Sequence, residues 1–256
     1  MNLTDTHTHL YLSDFSNDID KVIERAINNG IAKMFLPNID SKSISPMNSL
    51  AAKYKDNCFQ MMGVHPGSIK EDFKKELKIV EEELAKGHYI AVGETGIDLY
   101  WEKKYIKEQL FAFETQVRLA KEFGLPLVIH ARNSFAEIFA ILEKFKNSGL
   151  RGVFHAYTGT IDQAYYIINE FNFKLGIGGI VTFKNSGLDK VVREIDLGHI
   201  VLETDSPFLA PVPWRGKRNE SGYLIFIAEK IAQIKNISQV KVAEITTQNA
   251  FDIFGI

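Results

Sequence analysis

Short apolar runs rich in Val, Ile and Phe alternate along the chain with longer segments in which apolar residues recur every three or four positions. The short runs are typical of strands in a parallel sheet, and the longer spacing is typical of amphipathic helices. The alternation repeats about eight times, which predicts repeated strand–helix units. The predicted strands lie near Leu3–Thr6, Lys33–Pro37, Gln60–Val64, Ile90–Gly93, Pro126–Ile129, Gly152–Phe154, Leu175–Gly178 and Ile200–Glu203.

Several helix boundaries are marked by residues that cap helices. Residues 106–120 carry apolar side chains at steps of four and three, and Gly124 follows as a stop signal. Ser134 and Thr160 each begin a capping-box pattern, with Glu or Gln three positions later, so we expect helices to begin there. Residues 238–254 are predicted to form a final helix.

About eight strand–helix units in a chain of 256 residues favour a closed α/β barrel of the (β/α)8 TIM type over an open doubly wound sheet. No Gly-rich linker or low-complexity tract divides the chain. Hydrophobic residues make up 45% and charged residues 24%, a mix typical of a globular protein with a large core. We therefore expect a single domain spanning residues 1–256.

Charge and cysteine content limit the classes of function and the cellular compartment to be considered. The formal net charge is −2, so the surface is not broadly basic and any phosphate-binding region must be local. Cys58 is the only cysteine, which excludes an intrachain disulfide and favours a reducing compartment. No signal-peptide pattern and no uninterrupted run of 18 apolar residues is present. We expect a cytoplasmic protein without a membrane or an obligate protein partner.

Residues able to bind a metal end six of the predicted strands. In a barrel the carboxyl ends of all strands meet at one mouth, where active sites lie, so these residues are expected to converge. The first pair, His-x-His, has the period of two that points both imidazoles to one side of a strand. The set is His7, His9, His65, Glu94, His130, His155 and Asp205.

Isolated histidines also have a plainer interpretation, as exposed or hydrogen-bonded residues, and we apply it to His88 and His199. It is weaker for His130 and His155, because an ionisable ring directly after an apolar run is costly to bury without a partner. A metal ion would supply that partner. Glu94 has glycines close by on both sides, and its carboxylate can bridge two cations.

Neighbouring residues leave alternatives open. Asp98 either supports a ligand or caps the following turn. Asp205 combines ligand and base chemistry in one carboxylate. Glu203 is an alternative ligand, although we expect it to point the other way from the same strand. His65 either hydrogen-bonds substrate phosphate or a metal-bound water, or supports the ligands from outside.

Together these motifs resemble the TatD-type metal-dependent deoxyribonucleases, a family within the metal-dependent hydrolase superfamily. The resemblance covers essentially the full length, and the long C-terminal run is its most specific part. It is carried by Asp5–Leu10, Gly63–Pro66, Val92–Asp98, Pro126–Arg132, Gly152–His155, Gly176–Lys184, Leu202–Pro211 and Arg215–Glu220.

The resemblance implies hydrolysis of phosphodiester bonds in DNA at a site with two divalent metal ions, with 3′-end exonuclease action on single-stranded or frayed ends. Asp205 and Glu94 are the expected catalytic residues, Asp205 as the base that activates water and Glu94 as the bridge. Mg or Mn is expected to support activity, and Zn is possible. One ion is expected among His7, His9, Glu94 and Asp205, and the other among Glu94, His130 and His155.

Cations near the mouth are the expected phosphate contacts. Arg132 and the run Arg215-Gly216-Lys217-Arg218 supply them, because a guanidinium group binds phosphate through two donors. The alternative for the run is an ordinary solvated basic turn.

Aromatic residues at the rim are ambiguous. Tyr100 and Trp101 either stack on unpaired bases or pack the rim of the barrel. Ala156-Tyr157-Thr158 stands where relatives often carry Cys-Phe-Ser, and Trp214 stands where a histidine is common. The presence of Trp214 in place of a histidine affects substrate contacts at the rim.

Two other functions fit the same residues. An amidohydrolase or esterase of the same superfamily, such as a deacylase of mischarged aminoacyl-tRNA, keeps the site and changes the bond. Many amidohydrolases bridge their metals with a carboxylated lysine on strand four, whereas this chain has Glu94 there. A non-catalytic barrel that binds nucleic acid or a partner is disfavoured by the complete ligand set.

Overall fold

The computed structural model describes residues 1–100 and 103–256, so Trp101 lies outside the described residues. Within them, strands and helices alternate as the hydrophobic pattern predicts. The strands are β1 (Leu3–Asp5), β2 (Ile31–Pro37), β3 (Cys58–Met61), β4 (Val92–Asp98), β5 (Leu127–Arg132), β6 (Gly152–Phe154), β7 (Lys174–Ile177) and β8 (Ile200–Leu202). The helices are α1 (Ile19–Asn28), α2 (Ile44–Lys53), α3 (Phe73–Leu84), α4 (Ile106–Phe123), α5 (Phe135–Leu142), α6 (Ile161–Phe171), α7 (Leu188–Glu194), α8 (Leu224–Lys235) and α9 (Gln239–Phe254).

All pairings between neighbouring strands are parallel, with β1–β3 in one sheet and β4–β8 in another. Backbone hydrogen bonds join the two sheets at both seams. Between β3 and β4, the Met62 N–H donates to Ala91 O at 3.0 Å. Between β8 and β1, the Thr6 N–H donates to Leu202 O at 3.0 Å. The (β/α)8 prediction is confirmed.

Polar side chains reinforce the seam between β8 and β1. The buried Asp5 carboxylate accepts hydrogen bonds from the Thr204 N–H at 2.9 Å and the Thr204 hydroxyl at 2.6 Å. Burial raises the pKa of the Asp5 carboxyl to about 7, although the bonds from Thr204 act in the opposite direction. The Asp205 N–H then donates to His7 O at 2.9 Å, so the seam fixes these two residues side by side.

Strand β4 differs from its prediction, which ended before Glu94. The strand continues to Asp98 because residues 95–98 pair with β5. Gly96 makes this close pairing possible: its φ is +141°, and a Cβ there would lie 2.0 Å from His130 O. Glu94 therefore sits within a rigid strand rather than in the following loop.

The barrel interior is layered by the two-residue period of the strands. An apolar layer contains Phe35, Val128, Val153 and Val201, and it packs against the end of α9, where the rings of Phe35 and Phe254 are 4.8 Å apart. Two residues further along β5 and beyond β6 stand the histidines of the predicted site. One end of the barrel is thus closed by α9, and the polar groups gather at the other.

Helix ends mostly follow the predicted signals. Gly124, with φ +66°, ends α4, Thr160 makes both bonds of a capping box, and Ser238 caps α9. The prediction of a capping box at Ser134 is wrong. Helix α5 begins there, but the buried Ser134 hydroxyl donates to Ile97 O at 2.5 Å and so attaches the helix to β4. Among the described residues, none of the helices is both long and apolar enough to cross a membrane.

The close packing of β6 on β5 gives a stability prediction. A Cβ at Gly152 would lie 2.2 Å from Leu127 O, an overlap with backbone that cannot move aside. We expect Gly152→Ala to lower the free energy of unfolding by at least about 2 kcal/mol in urea denaturation. Gly178→Ala is the control, because its Cβ would meet neighbours at ordinary distances of 3.6 Å or more. Equal losses in the two variants would contradict this packing.

Candidate metal centre

One oxygen of the buried Glu94 carboxylate faces the two histidines that follow β1. Oε2 lies 3.2 Å from His7 Nε2 and 3.7 Å from His9 Nε2. The two imidazole nitrogens are 3.3 Å apart, and Asp205 Oδ1 lies 3.8 Å and 3.6 Å from them. Four ligand atoms thus converge on one point, in the grouping that the family resemblance implied.

The other oxygen of Glu94 faces a second set of histidines. Oε1 lies 2.9 Å from His130 Nδ1 and 3.2 Å from His155 Nε2. His65 Nε2 is slightly farther away, at 3.5 Å. The carboxylate therefore has a separate group of imidazoles at each oxygen.

Buried carboxylates orient two of these rings. Asp98 Oδ2 lies 3.0 Å from His130 Nε2, and Glu203 Oε1 lies 3.1 Å from His155 Nδ1. An ionised carboxylate only accepts hydrogen bonds, so each ring donates one N–H outward and turns its other nitrogen toward Glu94. Asp98 thus supports His130, and it also caps the following turn by accepting from the Tyr100 N–H at 2.9 Å, so both earlier interpretations hold.

The expected orientation of Glu203 is wrong. Its side chain is buried beside His155 and also accepts a hydrogen bond from the Ala156 N–H at 2.6 Å. The physical reason is the two-residue period: Glu203 follows the inward-facing Val201 by two positions and so points into the barrel. Its contacts make it a positioning residue for His155.

A tyrosine orients His9. The Tyr11 hydroxyl lies 3.0 Å from His9 Nδ1 and donates its own proton to Pro37 O at 2.5 Å. The hydroxyl therefore accepts from His9 Nδ1–H, which leaves the Nε2 lone pair facing Glu94 and Asp205. The sequence analysis missed Tyr11, although it continues the two-residue period of His7 and His9.

The electrostatics of the site require positive charge. Burial tends to raise the pKa of the Glu94 carboxyl, but the neighbouring imidazoles, His155 foremost, hold it well below its ordinary value. Burial disfavours a charged His155, yet Glu94 and Glu203 hold its pKa well above the ordinary value. Burial also tends to raise the pKa of Asp205, but the nearby histidines outweigh it, so this pKa lies below its ordinary value. The carboxylates at the centre are thus ionised, and positive charge beside them, as a proton on His155 or as a bound cation, is favoured.

Divalent cations fit this arrangement. Ligand atoms of His7, His9 and Glu94 lie within 4.8 Å of one another, and those of His130 and His155 lie 2.9 and 3.2 Å from the other oxygen of Glu94. Imidazole nitrogens and carboxylate oxygens suit Mn, Co, Fe or Zn, and the carboxylates also suit Mg. His130 Nδ1 and Glu94 Oε1 share a hydrogen bond of 2.9 Å, which a bound cation would replace.

His65 differs from the other histidines. Its Nδ1 accepts a hydrogen bond from the Gly67 N–H at 2.9 Å, so the proton of the neutral ring is on Nε2. Burial lowers the pKa of His65 to about 4, which keeps the ring neutral. His65 therefore presents an N–H donor to the site rather than a lone pair, which favours contact with substrate over metal ligation.

The predicted phosphate-binding role of Arg218 is not supported. Its guanidinium donates to both oxygens of Asp18, at 2.8 and 2.7 Å, and lies over the Phe15 ring. Both arms of the fork are thus used within the protein, where they tie the loop after β8 to the start of α1. Because Arg218 and Asp18 are 200 positions apart in the sequence, no local sequence pattern indicates that they pair.

The other cations of the mouth are placed differently. Arg215 and Lys217 are exposed, and no carboxylate in the described part of the chain forms an ion pair with either. The Arg132 guanidinium lies over the Tyr100 ring, 3.9 Å from its centroid. Trp214 stacks on Tyr223 with the rings 5.0 Å apart.

An exposed phenylalanine beside the ligands was missed by the sequence analysis. Phe208 is 51% exposed, and its ring meets the edge of His9 with centroids 6.1 Å apart. It follows Ser206 and Pro207 in the loop after β8, in the motif used for the family resemblance. An apolar ring left open next to polar ligands offers a contact surface for substrate.

The Tyr11 contact gives a prediction about metal affinity. Removing the hydroxyl in Tyr11→Phe leaves His9 Nδ1–H without its acceptor, so we expect affinity for Mn to fall about tenfold or more. Competition with a chelator measures this directly. Tyr54→Phe is the matched control, because that hydroxyl donates to the exposed Asp20, away from the site. Unchanged affinity in Tyr11→Phe would mean that the hydroxyl does not orient His9.

Comparison with known proteins identifies the family of this chain. Residues 4–255 match the family model of the TatD related DNases. The chain is 36% identical to the metal-dependent hydrolase YabD of Bacillus subtilis, over 99% of both proteins. It is 30% identical to the metal-dependent hydrolase YcfH of Escherichia coli K12, over 100% of this chain and 97% of the relative.

A solved structure shows the same fold. The crystal structure of the TatD homologue YJJV from Escherichia coli K12 aligns with a TM-score of 0.93 at 24% identity, covering 99% of this chain and 98% of the other. The barrel, the cluster of histidines and carboxylates at its mouth and the match along almost the whole sequence lead to one conclusion. The chain belongs to the TatD related DNase family of metal-dependent hydrolases.

Proposed function

We propose that the protein hydrolyses phosphodiester bonds of DNA with two divalent cations, acting as a 3′-to-5′ exonuclease on single-stranded or frayed ends. The observation that carries this proposal is the position of Glu94. Its two carboxylate oxygens face two separate groups of ligands, as a bridging ligand requires. Two divalent cations, held by His7, His9 and Asp205 on one side of Glu94 and by His130 and His155 on the other, would supply a water of low pKa and polarise the phosphoryl oxygen.

Asp205 is the proposed base, which takes a proton from the attacking water. Its side chain is 15% exposed, whereas that of Glu94 is 3% exposed, so Asp205 is the carboxylate open to the mouth. Its lowered pKa keeps it ionised and able to accept. Its backbone, with φ +56°, is held by the bond to His7 O, which fixes the carboxylate beside His7 and His9.

His65 is the proposed hydrogen-bond donor to the phosphate. Its Nε2–H points toward Glu94 from a side chain that is 23% exposed, so a phosphoryl oxygen at the site can accept from it. Because the His65 ring is neutral and presents an N–H rather than a lone pair, it can bind the phosphate without binding a cation. Arg132, on the same rim, can contact a neighbouring phosphate while its guanidinium remains over the Tyr100 ring.

The rim suits an unpaired strand. Phe208 and Trp214 are 51% and 40% exposed, and a base freed from its duplex can stack on such rings. The loop after β8 carries a few basic side chains close together. These can bind the phosphates at the end of one strand but not those along a long duplex.

Replacing the proposed base gives the central prediction. With Mg or Mn added back to metal-stripped protein, the wild type should shorten end-labelled single-stranded DNA from its 3′ end. Asp205→Asn should lower the rate at least about a thousandfold, because the amide cannot accept the proton and binds cations weakly. Asp56→Asn, at an exposed position away from the site, should cut at the wild-type rate.

An aminoacyl-tRNA ester is assayed in parallel, because ester hydrolysis uses the same metal chemistry. If every metal leaves the DNA intact while the ester is cleaved, the substrate assignment is wrong and deacylation replaces it. If neither substrate reacts in metal-loaded protein, the hydrolysis proposal itself fails for both.

A further inference from the structure

A pocket of about 610 Å³ lies between the loops that follow β7 and β8. Its volume falls within the range of small-molecule sites, about 300–1,000 Å³. We propose that it holds the nucleotide next to the one being cleaved, an inference that rests on the proposed function. The residues that shape it are Ile180, Phe183, Lys184, Asn185, Val212 and Arg215, and we call it the Phe183–Arg215 pocket.

The two loops are fixed against each other, so the pocket is formed without a ligand. The Val212 N–H donates to the Thr182 hydroxyl at 2.9 Å, and that hydroxyl donates to Gly179 O at 2.7 Å. A Cβ on Gly179 would lie 2.1 Å from Leu209 O, which means that the loop backbones touch. Preformed walls reduce the entropy lost when a ligand binds.

The lining combines apolar surface with positive charge. The Arg215 guanidinium lies over the Phe183 ring, 4.5 Å from its centroid, and Val212 adds a half-exposed apolar side. Within the described residues neither Arg215 nor Lys184 has a carboxylate partner. A nucleotide has the complementary features, because its base stacks on guanidinium and aromatic planes and its phosphate pairs with cations.

Arg218 shows that this charge is not a general property of the loop. Three positions after Arg215, its guanidinium is neutralised by both oxygens of Asp18. The loop thus uses one arginine to attach itself to α1 and leaves another over the pocket.

The pocket adjoins the catalytic centre. Ile180 lines it and also lines a small cavity bounded by Glu203 and Asp205. Both loops follow the carboxyl ends of their strands, so they open on the same face as the metal ligands. The proposal therefore has the reacting phosphate beside Asp205 and the neighbouring nucleotide in the pocket.

The test compares two substrates that differ in what they place in the pocket. Bis(4-nitrophenyl) phosphate has a phosphodiester but no second nucleotide, whereas an oligothymidylate of four residues has both. Arg215→Met and Phe183→Leu remove the cation and the ring while keeping similar bulk. Arg193→Met is the matched control, since Arg193 is an exposed arginine on α7 that does not line the pocket.

We expect each pocket variant to raise KM for the oligothymidylate about tenfold, with kcat retained and KM for the small diester changed less than twofold. The control should match the wild type on both substrates. An equal loss on both substrates would overturn the proposal, because the loops would then only support the catalytic centre. No change on either would overturn it as well.

Failure of the proposed function is seen separately. If the wild type cleaves neither diester, phosphodiester hydrolysis is wrong, and fluorescence anisotropy with a labelled oligothymidylate then tests the pocket by itself. Binding that weakens about tenfold in Arg215→Met and not in Arg193→Met supports the pocket. Binding that is absent or independent of Arg215 overturns it.

Discussion

A single buried carboxylate sets the geometry of this site. Glu94 lies within β4 and presents one oxygen to His7 and His9 and the other to His130 and His155. An ionised carboxylate surrounded by imidazole lone pairs is unstable in a buried site without cations or protons. The close pairing of β4 with β5 and the bonded seam between β8 and β1 hold these mutually unfavourable groups together, which is what a metal centre requires.

Residues behind the ligands decide which atoms face the centre. Asp98, Glu203 and Tyr11 each accept an N–H from a different ring, and each thereby turns the other ring nitrogen inward. His65 is the exception, because a backbone N–H binds its Nδ1 and leaves a proton on Nε2. A histidine at the mouth of the barrel can thus be a candidate metal ligand or an N–H donor, according to its hydrogen-bond partner.

Much of this arrangement could be predicted from the sequence, because it follows from local periodicity. Metal-binding residues at successive strand ends converge in any parallel barrel, and the family motifs fix their grouping. The two-residue period also placed Glu203 inward, and the sequence analysis did not apply it. The pairing of Arg218 with Asp18 and the bond from Ser134 to Ile97 depend on contacts between distant segments, which no local pattern encodes.

Counting bound Mn tests most directly whether Glu94 joins two cation sites. Metal-stripped protein is titrated with Mn while electron paramagnetic resonance records whether the ions interact. The wild type should bind two ions per chain with the spectrum of a coupled pair, and Glu94→Gln should lose that coupling. One ion per chain in the wild type, or a coupled pair that persists in Glu94→Gln, would contradict a bridge at this residue.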